Sequence, residues 1–504
     1  MSDSLLLALD QGTSSSRAVL FSADGELVAS AQVPLQVEYP ADGWVEQQAE
    51  AIWTSQLQAM QQLERSLTPE QRPSVRACGI TNQRETTVLW RRSSGAPLGP
   101  ALVWQDRRTA GQCREWQQLP SAGTWCKRTG LVLDPYFSAS KIHWLLKNSS
   151  PAAAAREHHD LCFGTVDSWL LWKLSGGQRH ATDLSNASRT LLLDLEQRRW
   201  LPQALEQVGL PEEALPELLP TRADFGCIAA GLPFAGVPIT AMLGDQQAAS
   251  FGQLCLERGQ AKCTYGTGAF LVVNAGHQPV PAKAGLLSTV GWSNADGSTT
   301  YCLEGSLFNA GTVIQWLRDG LGVINSAAEV DGLAAQVDSA GELMLVPAFT
   351  GWGTPHWDPD ARGLLIGLTR DSSAAQIARA ALDGIALAVS DLVVAAEAAL
   401  GAPLQVLAVD GGAAASDLLM QAQANSAALP VQRPAQLEST ALGVALMAGL
   451  QAGVVADLAS LQANRQSSCQ LFNPQLEPAD RQRWQGRWQK AVERSLHWHT
   501  NGRV

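Results

Sequence analysis

Lysine is scarce in this chain. Only seven of its 36 basic residues are Lys, and none of them follows a Gly. A Gly-x-x-x-x-Gly-Lys-Ser/Thr phosphate loop is therefore absent, which excludes a P-loop nucleotidase. A basic excess is missing as well: 36 Lys and Arg stand against 47 Asp and Glu, a net charge of −11. Binders of duplex nucleic acid or of anionic membranes carry a basic excess or stripe, so neither partner is expected. No apolar run is long enough for membrane insertion. The longest stretches, 384–400 and 441–455, are interrupted by Asp391, Glu397 and Gln451 and read as buried helices. The first residues have no positive n-region and their apolar run stops at Asp10, so they do not read as a signal peptide. The nine Cys are scattered singly with no Cys-x-x-Cys. That pattern predicts neither a disulfide framework nor a zinc cage and fits a reduced, cytoplasmic setting. The eight His are scattered too, and His158, His159, His497 and His499 read as surface residues.

What is present is length. At 504 residues and 46% hydrophobic content, the chain is too long for one core and divides into two lobes. Leu5–Leu9, Arg17–Phe21 and Leu27–Ala29 are short apolar runs separated by polar and Asp-Gly turns, which predicts a three-stranded antiparallel meander. A helix is predicted over 48–66, then strands over 75–80 and 86–90. An apolar strand over 237–243 runs into Gly244-Asp245 and a helical segment over 246–251. At Gln260 the pattern restarts: apolar 261–265, a Gly266-Thr267-Gly268 turn, apolar 269–274. A strand over 404–409 leads into Asp410-Gly411-Gly412 and a helix from about Ser416. Helices follow over 438–449 and 478–497, the last with Trp484, Trp488, Val492 and Leu496 at helical spacing. The chain thus has two halves, 1–254 and 255–504, each opening with strand, turn, strand. This is a weak repeat of motif within an α/β architecture.

The turns carry the chemistry. In Asp10–Arg17, Gly12 admits close backbone approach, Thr13, Ser14 and Ser15 offer hydroxyls, and Arg17 adds a fixed charge: a phosphate cradle made without Lys. Asp10 at the strand end is suited to hold Mg²⁺ through water. Taken alone, the stretch is more simply an ordinary polar hairpin. Gly266-Thr267-Gly268 is a second cradle of the same kind, weak except for its matching position. Asp410-Gly411-Gly412 suits a flat ligand such as a nucleoside, with a plain turn capped by Ser416 as the simpler reading. Asp245 stands at the carboxyl end of a buried strand, where α/β folds place ligands, and there a carboxylate can take a proton from an attacking hydroxyl. An N-capping role would also account for it. Arg84 and Glu85 form a donor and acceptor pair suited to a polyol, against the alternative of a surface ion pair. Trp104 and Tyr136 can wall a small carbon skeleton, although among 17 Trp most serve packing.

Eleven blocks in order carry a resemblance over nearly the whole chain. They are Ala8-Leu9-Asp10-Gln11-Gly12-Thr13-Ser14-Ser15-Ser16-Arg17, Gly79-Ile80-Thr81-Asn82-Gln83-Arg84-Glu85-Thr86, Trp104-Gln105, Asp134-Pro135-Tyr136-Phe137-Ser138, Phe163-Gly164-Thr165-Val166-Asp167 and Asn186-Ala187-Ser188-Arg189-Thr190. Then follow Gly244-Asp245-Gln246-Gln247-Ala248, Thr264-Tyr265-Gly266-Thr267-Gly268, Gln315-Trp316-Leu317-Arg318-Asp319, Val346-Pro347-Ala348-Phe349 and Val409-Asp410-Gly411-Gly412. Together they resemble the glycerol kinases of the FGGY carbohydrate kinase family.

The resemblance implies an α/β fold of two actin-like ATPase (ribonuclease H-like) domains with a cleft between them. It implies ATP-dependent phosphorylation of glycerol to sn-glycerol 3-phosphate, with Mg²⁺, in a homodimer or homotetramer. By the same resemblance Asp245 is the catalytic base. Arg84, Glu85, Tyr136, Asp245 and Gln246 hold the glycerol hydroxyls, and Trp104 and Phe270 pack on its carbons. Thr13, Ser14, Ser15, Arg17, Thr267 and Gly311 face the ATP/ADP phosphates. Gln315, Gly412 and Ser416 lie toward the nucleoside, with Asp10 and Asp245 near the metal.

The chain departs from the family pattern at three places. Ser416 stands where relatives usually carry Asn, which predicts a lost hydrogen bond to adenosine. His356 stands where relatives often have Tyr. Ile228–Gly236 lacks the Gly/Arg-rich loop with which some bacterial relatives bind fructose 1,6-bisphosphate, so that regulation is not expected. Rival readings are a pentulose or gluconate kinase of the same family and a non-catalytic actin- or Hsp70-like nucleotide switch.

Overall fold

The computed structural model describes residues 4–435, 438–455, 458 and 469–498; His499 lies outside them. The first sheet begins with the expected meander. Strands β1 (Leu5–Gln11), β2 (Ser15–Ser22) and β3 (Leu27–Pro34) pair antiparallel. Strands β4 (Val75–Asn82) and β5 (Ile239–Gly244) then add in parallel, giving the five-strand order β5-β4-β1-β2-β3. Every residue of β1 is buried, as expected of a central strand covered on both faces. Helix α1 (Ala49–Ser66) turns Ile52, Ala59, Met60 and Leu63 onto one side of this sheet.

The second half repeats the device. Strands β6 (Ala261–Tyr265), β7 (Ala269–Gly276), β8 (Leu287–Ser293), β9 (Thr299–Leu307), β10 (Leu407–Asp410), β11 (Val431–Pro434) and β12 (Cys469–Phe472) form a seven-strand sheet in the order β8-β9-β7-β6-β10-β11-β12. The β6–β7 hairpin is antiparallel, and β10 joins β6 in parallel, as β4 joins β1 in the first half.

The predicted elements appear within a few residues. The strand expected over 86–90 starts later, at Val88, because the backbone after β4 is diverted into a turn. Glu85 sits there at φ 59, in the left-handed region that non-glycine residues adopt rarely. His158 and His159 are exposed, as is the His497 ring.

Six helices beyond α1 matter for the site: α2 (Asp245–Gly252), α3 (Gly311–Asp319), α4 (Ala374–Leu400), α5 (Asp417–Ala427), α6 (Ser439–Gln451) and α7 (Pro478–Ser495). The 27-residue α4 opens with a capping box between Ser373 and Gln376 and ends at Gly401 in the left-handed conformation, a start and stop written in local sequence. It runs through the core of the second lobe, and Trp488 and Val492 of α7 close that core from outside.

The division by sequence is not the division by packing. Helix α6 belongs to the second half of the chain, yet its Ala441, Val444, Ala445 and Ala448 share a core with Leu6, Ala8, Phe21 and Ala77 of the first sheet. It crosses α2 at two glycines. A Cβ on Gly443 would lie 1.9 Å from the Ala248 carbonyl, and one on Gly252 would lie 1.9 Å from that of Ser439. Only glycine permits backbones this close.

Candidate active site

The site grows from adjacent strand ends. Strands β4 and β5 run parallel, with Asn82 opposite Gly244, so the residues leaving them emerge side by side. Arg84 and Asp245 meet there, Nε to Oδ1 at 3.2 Å. Gly244 clears the way: a Cβ would sit 2.8 Å from Cδ of Arg84. Asp245 opens α2 beside the helix amide dipoles, and the Gln246 N–H donates to its Oδ1 at 2.7 Å. Burial raises the Asp245 pKa, opposed by Arg84 and Lys262. It is thus a carboxylate at the cleft with its basicity increased, as a general base requires.

Arg84 and Glu85 are not a surface ion pair; both side chains are buried, and each is held by a residue far away in the chain. Glu304 of β9 accepts from Arg84 Nη1 at 2.5 Å and from Nη2 at 3.0 Å. Arg189 donates to Glu85 at 2.7 Å and to Glu304 at 2.9 Å. Burial alone would raise the Glu304 pKa, but Arg189 and Arg84 overcome it and hold the carboxyl down at about 2. Burial outweighs the two cations at Glu85 and pushes its pKa up. These four buried charges form one chain of contacts across the lobes, Arg84 to Glu304 to Arg189 to Glu85.

Aromatic rings stand beside it. Tyr136 Oη lies 3.4 Å from Arg84 Nη2. The Trp104 ring is 5.7 Å from Tyr136 and 6.0 Å from Phe270, edge to face in both cases, the arrangement aromatic quadrupoles favour. Trp104 and Tyr136 also line a cavity of about 620 Å³ with Trp44 and Phe308. The Trp104 indole donates to Thr13 Oγ1 at 3.0 Å, which couples the first hairpin to the aromatic wall.

Within that hairpin, Ser14 is exposed and the Ser15 hydroxyl accepts from Gln32 at 2.9 Å. Arg17 is less open than its sequence position implies. The register places it directly opposite Asp10, and its guanidinium bridges Asp10 and Glu438, at 2.5 Å to each. The Asp10 carboxylate expected to serve a metal thus has its Oδ2 engaged. It still lies near enough to Asp245 to raise that residue's pKa.

The residues expected on the nucleotide side come together. Thr267, Gly311, Gln315, Gly412 and Ser416 line one cavity of about 540 Å³. Next to the lining residue Gly412, Gly411 adopts φ 90, and a Cβ there would lie 2.6 Å from the carbonyl of Tyr265, another lining residue. Ser416 does cap α5 by accepting from the Leu419 N–H at 3.0 Å, and its hydroxyl donates to Asp331. His356 lies away from both cavities' linings, its ring 5.8 Å from that of Trp352.

Sequence reasoning gave no role to Glu304, Arg189 or Lys262. Arg189 lies inside the Asn186–Thr190 block, and Lys262 is a rare lysine in a strand read as apolar. Glu304 lies in β9, a buried strand of mixed sequence that the apolar pattern does not announce.

Two lobes of this topology, each opening on the same strand–turn–strand hairpin and with a carboxylate at a strand end between them, define an actin-like ATPase fold. The FGGY family of carbohydrate kinases matches residues 5–252 through its N-terminal domain and residues 261–452 through its C-terminal domain. The chain belongs to that family. It is 50% identical over 497 residues to the glycerol kinase of Dechloromonas aromatica, covering 99% of this chain and 98% of that protein. It is 48% identical to the glycerol kinase of Thermus brockianus, covering 99% of each. The crystal structure of Plasmodium falciparum glycerol kinase with ADP superposes with a TM-score of 0.91 at 30% identity, over 98% of each chain.

Proposed function

We infer that this chain transfers the γ-phosphoryl group of ATP to a terminal hydroxyl of glycerol, giving sn-glycerol 3-phosphate. The observation that carries the reading is the Asp245 carboxylate, raised in basicity and fixed by Arg84 beside a buried polar lattice and an aromatic wall. Asp245 draws the proton from the attacking hydroxyl, and a raised pKa makes its carboxylate the stronger base for that step. Arg84 donates to substrate oxygens, Glu85 and Gln246 complete the hydroxyl contacts, and Tyr136 adds its phenol. Trp104 and Phe270 cover the carbon backbone. The lattice with Glu304 and Arg189 keeps Arg84 and Glu85 from pivoting, so little ordering is left for the moment of reaction.

The 540 Å³ cavity is of a size suited to a nucleoside, with Gln315, Gly412 and Ser416 toward the base and ribose and Thr267 and Gly311 toward the phosphates. Thr13, Ser14, Ser15 and Arg17 face the phosphates from the opposite hairpin. Magnesium binds through one or two carboxylates plus phosphate and water, and the neighbouring Asp10 and Asp245 match that donor set. Mg²⁺, when bound, neutralises phosphate charge. Closing the lobes excludes water, which limits ATP hydrolysis in the absence of glycerol.

Among the described residues no helix is long and apolar enough to cross a membrane. The reading includes a cytoplasmic setting and assembly as a homodimer or homotetramer; fractionation of the source cells and light scattering of the full chain check these. The activity itself is tested by ADP release with glycerol, xylulose, ribulose and gluconate. Turnover with glycerol is expected; turnover with a sugar but none with glycerol overturns the reading.

A further inference from the structure

Lys262 is the one lysine of β6, and it is fully buried. Its Nζ donates to Gln246 Oε1 at 2.5 Å and to Thr264 Oγ1 at 2.8 Å. Gln246 belongs to α2 of the first lobe, next to Asp245, whereas Lys262 comes from the second sheet. We propose that Lys262 is a positioning residue for phosphoryl transfer: reaching across from the second lobe, it fixes which end of the Gln246 amide meets the substrate. The proposal rests on the glycerol reading above.

The orientation follows from donor chemistry. An ammonium donates and never accepts, so the amide oxygen of Gln246 must turn to Lys262. Its NH₂ is then left to donate into the cleft, toward a substrate hydroxyl oxygen. Without Lys262 the amide can rotate by half a turn and present its oxygen instead, which would meet the hydroxyl in the wrong sense.

The test measures glycerol KM, ATP KM and kcat in the wild type, Lys262→Met and Lys262→Arg. In Lys262→Met the glycerol KM should rise about tenfold, as for one lost charge-assisted hydrogen bond, with ATP KM within about twofold. Adding Gln246→Ala to Lys262→Met should raise glycerol KM little further, since both act on one contact. Lys262→Arg keeps charge and donors and should bring glycerol KM back toward the wild-type value. Lys262→Ala replaces Met where Met does not fold and carries the same expectation for glycerol KM. An unchanged glycerol KM in the uncharged variant overturns the proposal, as does a glycerol KM that rises equally in Lys262→Arg. Failure of the glycerol reading itself would show in the wild type, which would not turn glycerol over.

Discussion

Glu304 grips Arg84 with both carboxylate oxygens, at 2.5 and 3.0 Å, and the two residues come from different lobes. A buried pair of this kind adds less to stability than its geometry implies, because both charges have left water. Breaking it is another matter. Glu304→Ala would leave Arg84 and Arg189 buried without their shared acceptor and is expected to cost about 3–5 kcal/mol, read by denaturant unfolding. The same variant should raise glycerol KM, since Arg84 would lose its brace. The pH dependence follows in sign. The folded Glu304 carboxyl is held down at about 2, below its unfolded value. Its contribution is therefore present above the ordinary Glu range and is lost as pH falls toward 2.

Asp391 of α4 behaves in the opposite way. Its Oδ2 accepts from the Trp488 indole at 2.7 Å, tying α4 to α7, and burial pushes its pKa up to about 6. A carboxyl raised in the folded state favours folding fully below its unfolded pKa, and that advantage is lost as pH rises through about 6. Asp391→Asn keeps an acceptor for the indole and removes the charge. It should stabilise the protein at pH 8 by on the order of 1 kcal/mol more than at pH 5. Melting temperatures at the two pH values check this, and an equal change at both contradicts it.

Gly443→Ala tests the α2–α6 crossing. The added Cβ would fall 1.9 Å from the Ala248 carbonyl, so the helices must separate. Overpacking of this kind costs about 3 kcal/mol, measured as a lower denaturant midpoint. Because α2 begins with Asp245, turnover should fall as well.

Much of this site was legible in the sequence, for reasons that are local. The β1–β2 and β6–β7 hairpins follow from turn residues between apolar runs, and Asp245 follows from an apolar strand ending in Gly-Asp. The nucleotide cavity was legible in part: Gly266-Thr267-Gly268 and Asp410-Gly411-Gly412 read as candidate turns for phosphate and a flat ligand, whereas Gly311 and Gln315 enter only through the family resemblance. What the sequence did not disclose depends on distant chain meeting distant chain. Arg17 reads as an open cation until Glu438, 421 residues away, is seen to hold it. Arg84-Glu85 reads equally well as a surface pair, and only the approach of Glu304 and Arg189 makes it a buried lattice. Lys262 in an apolar strand breaks the pattern of burial, and that irregularity was the available signal.

The central claim is that Asp245 is the base that draws the proton from the attacking hydroxyl of glycerol. The most direct test compares Asp245→Asn with the wild type, measuring kcat by ADP release and glycerol binding by calorimetry. Loss of a general base predicts a fall in kcat of about 10²–10⁴-fold, with glycerol still bound through Arg84 and its neighbours. Turnover near that of the wild type in Asp245→Asn would contradict the account.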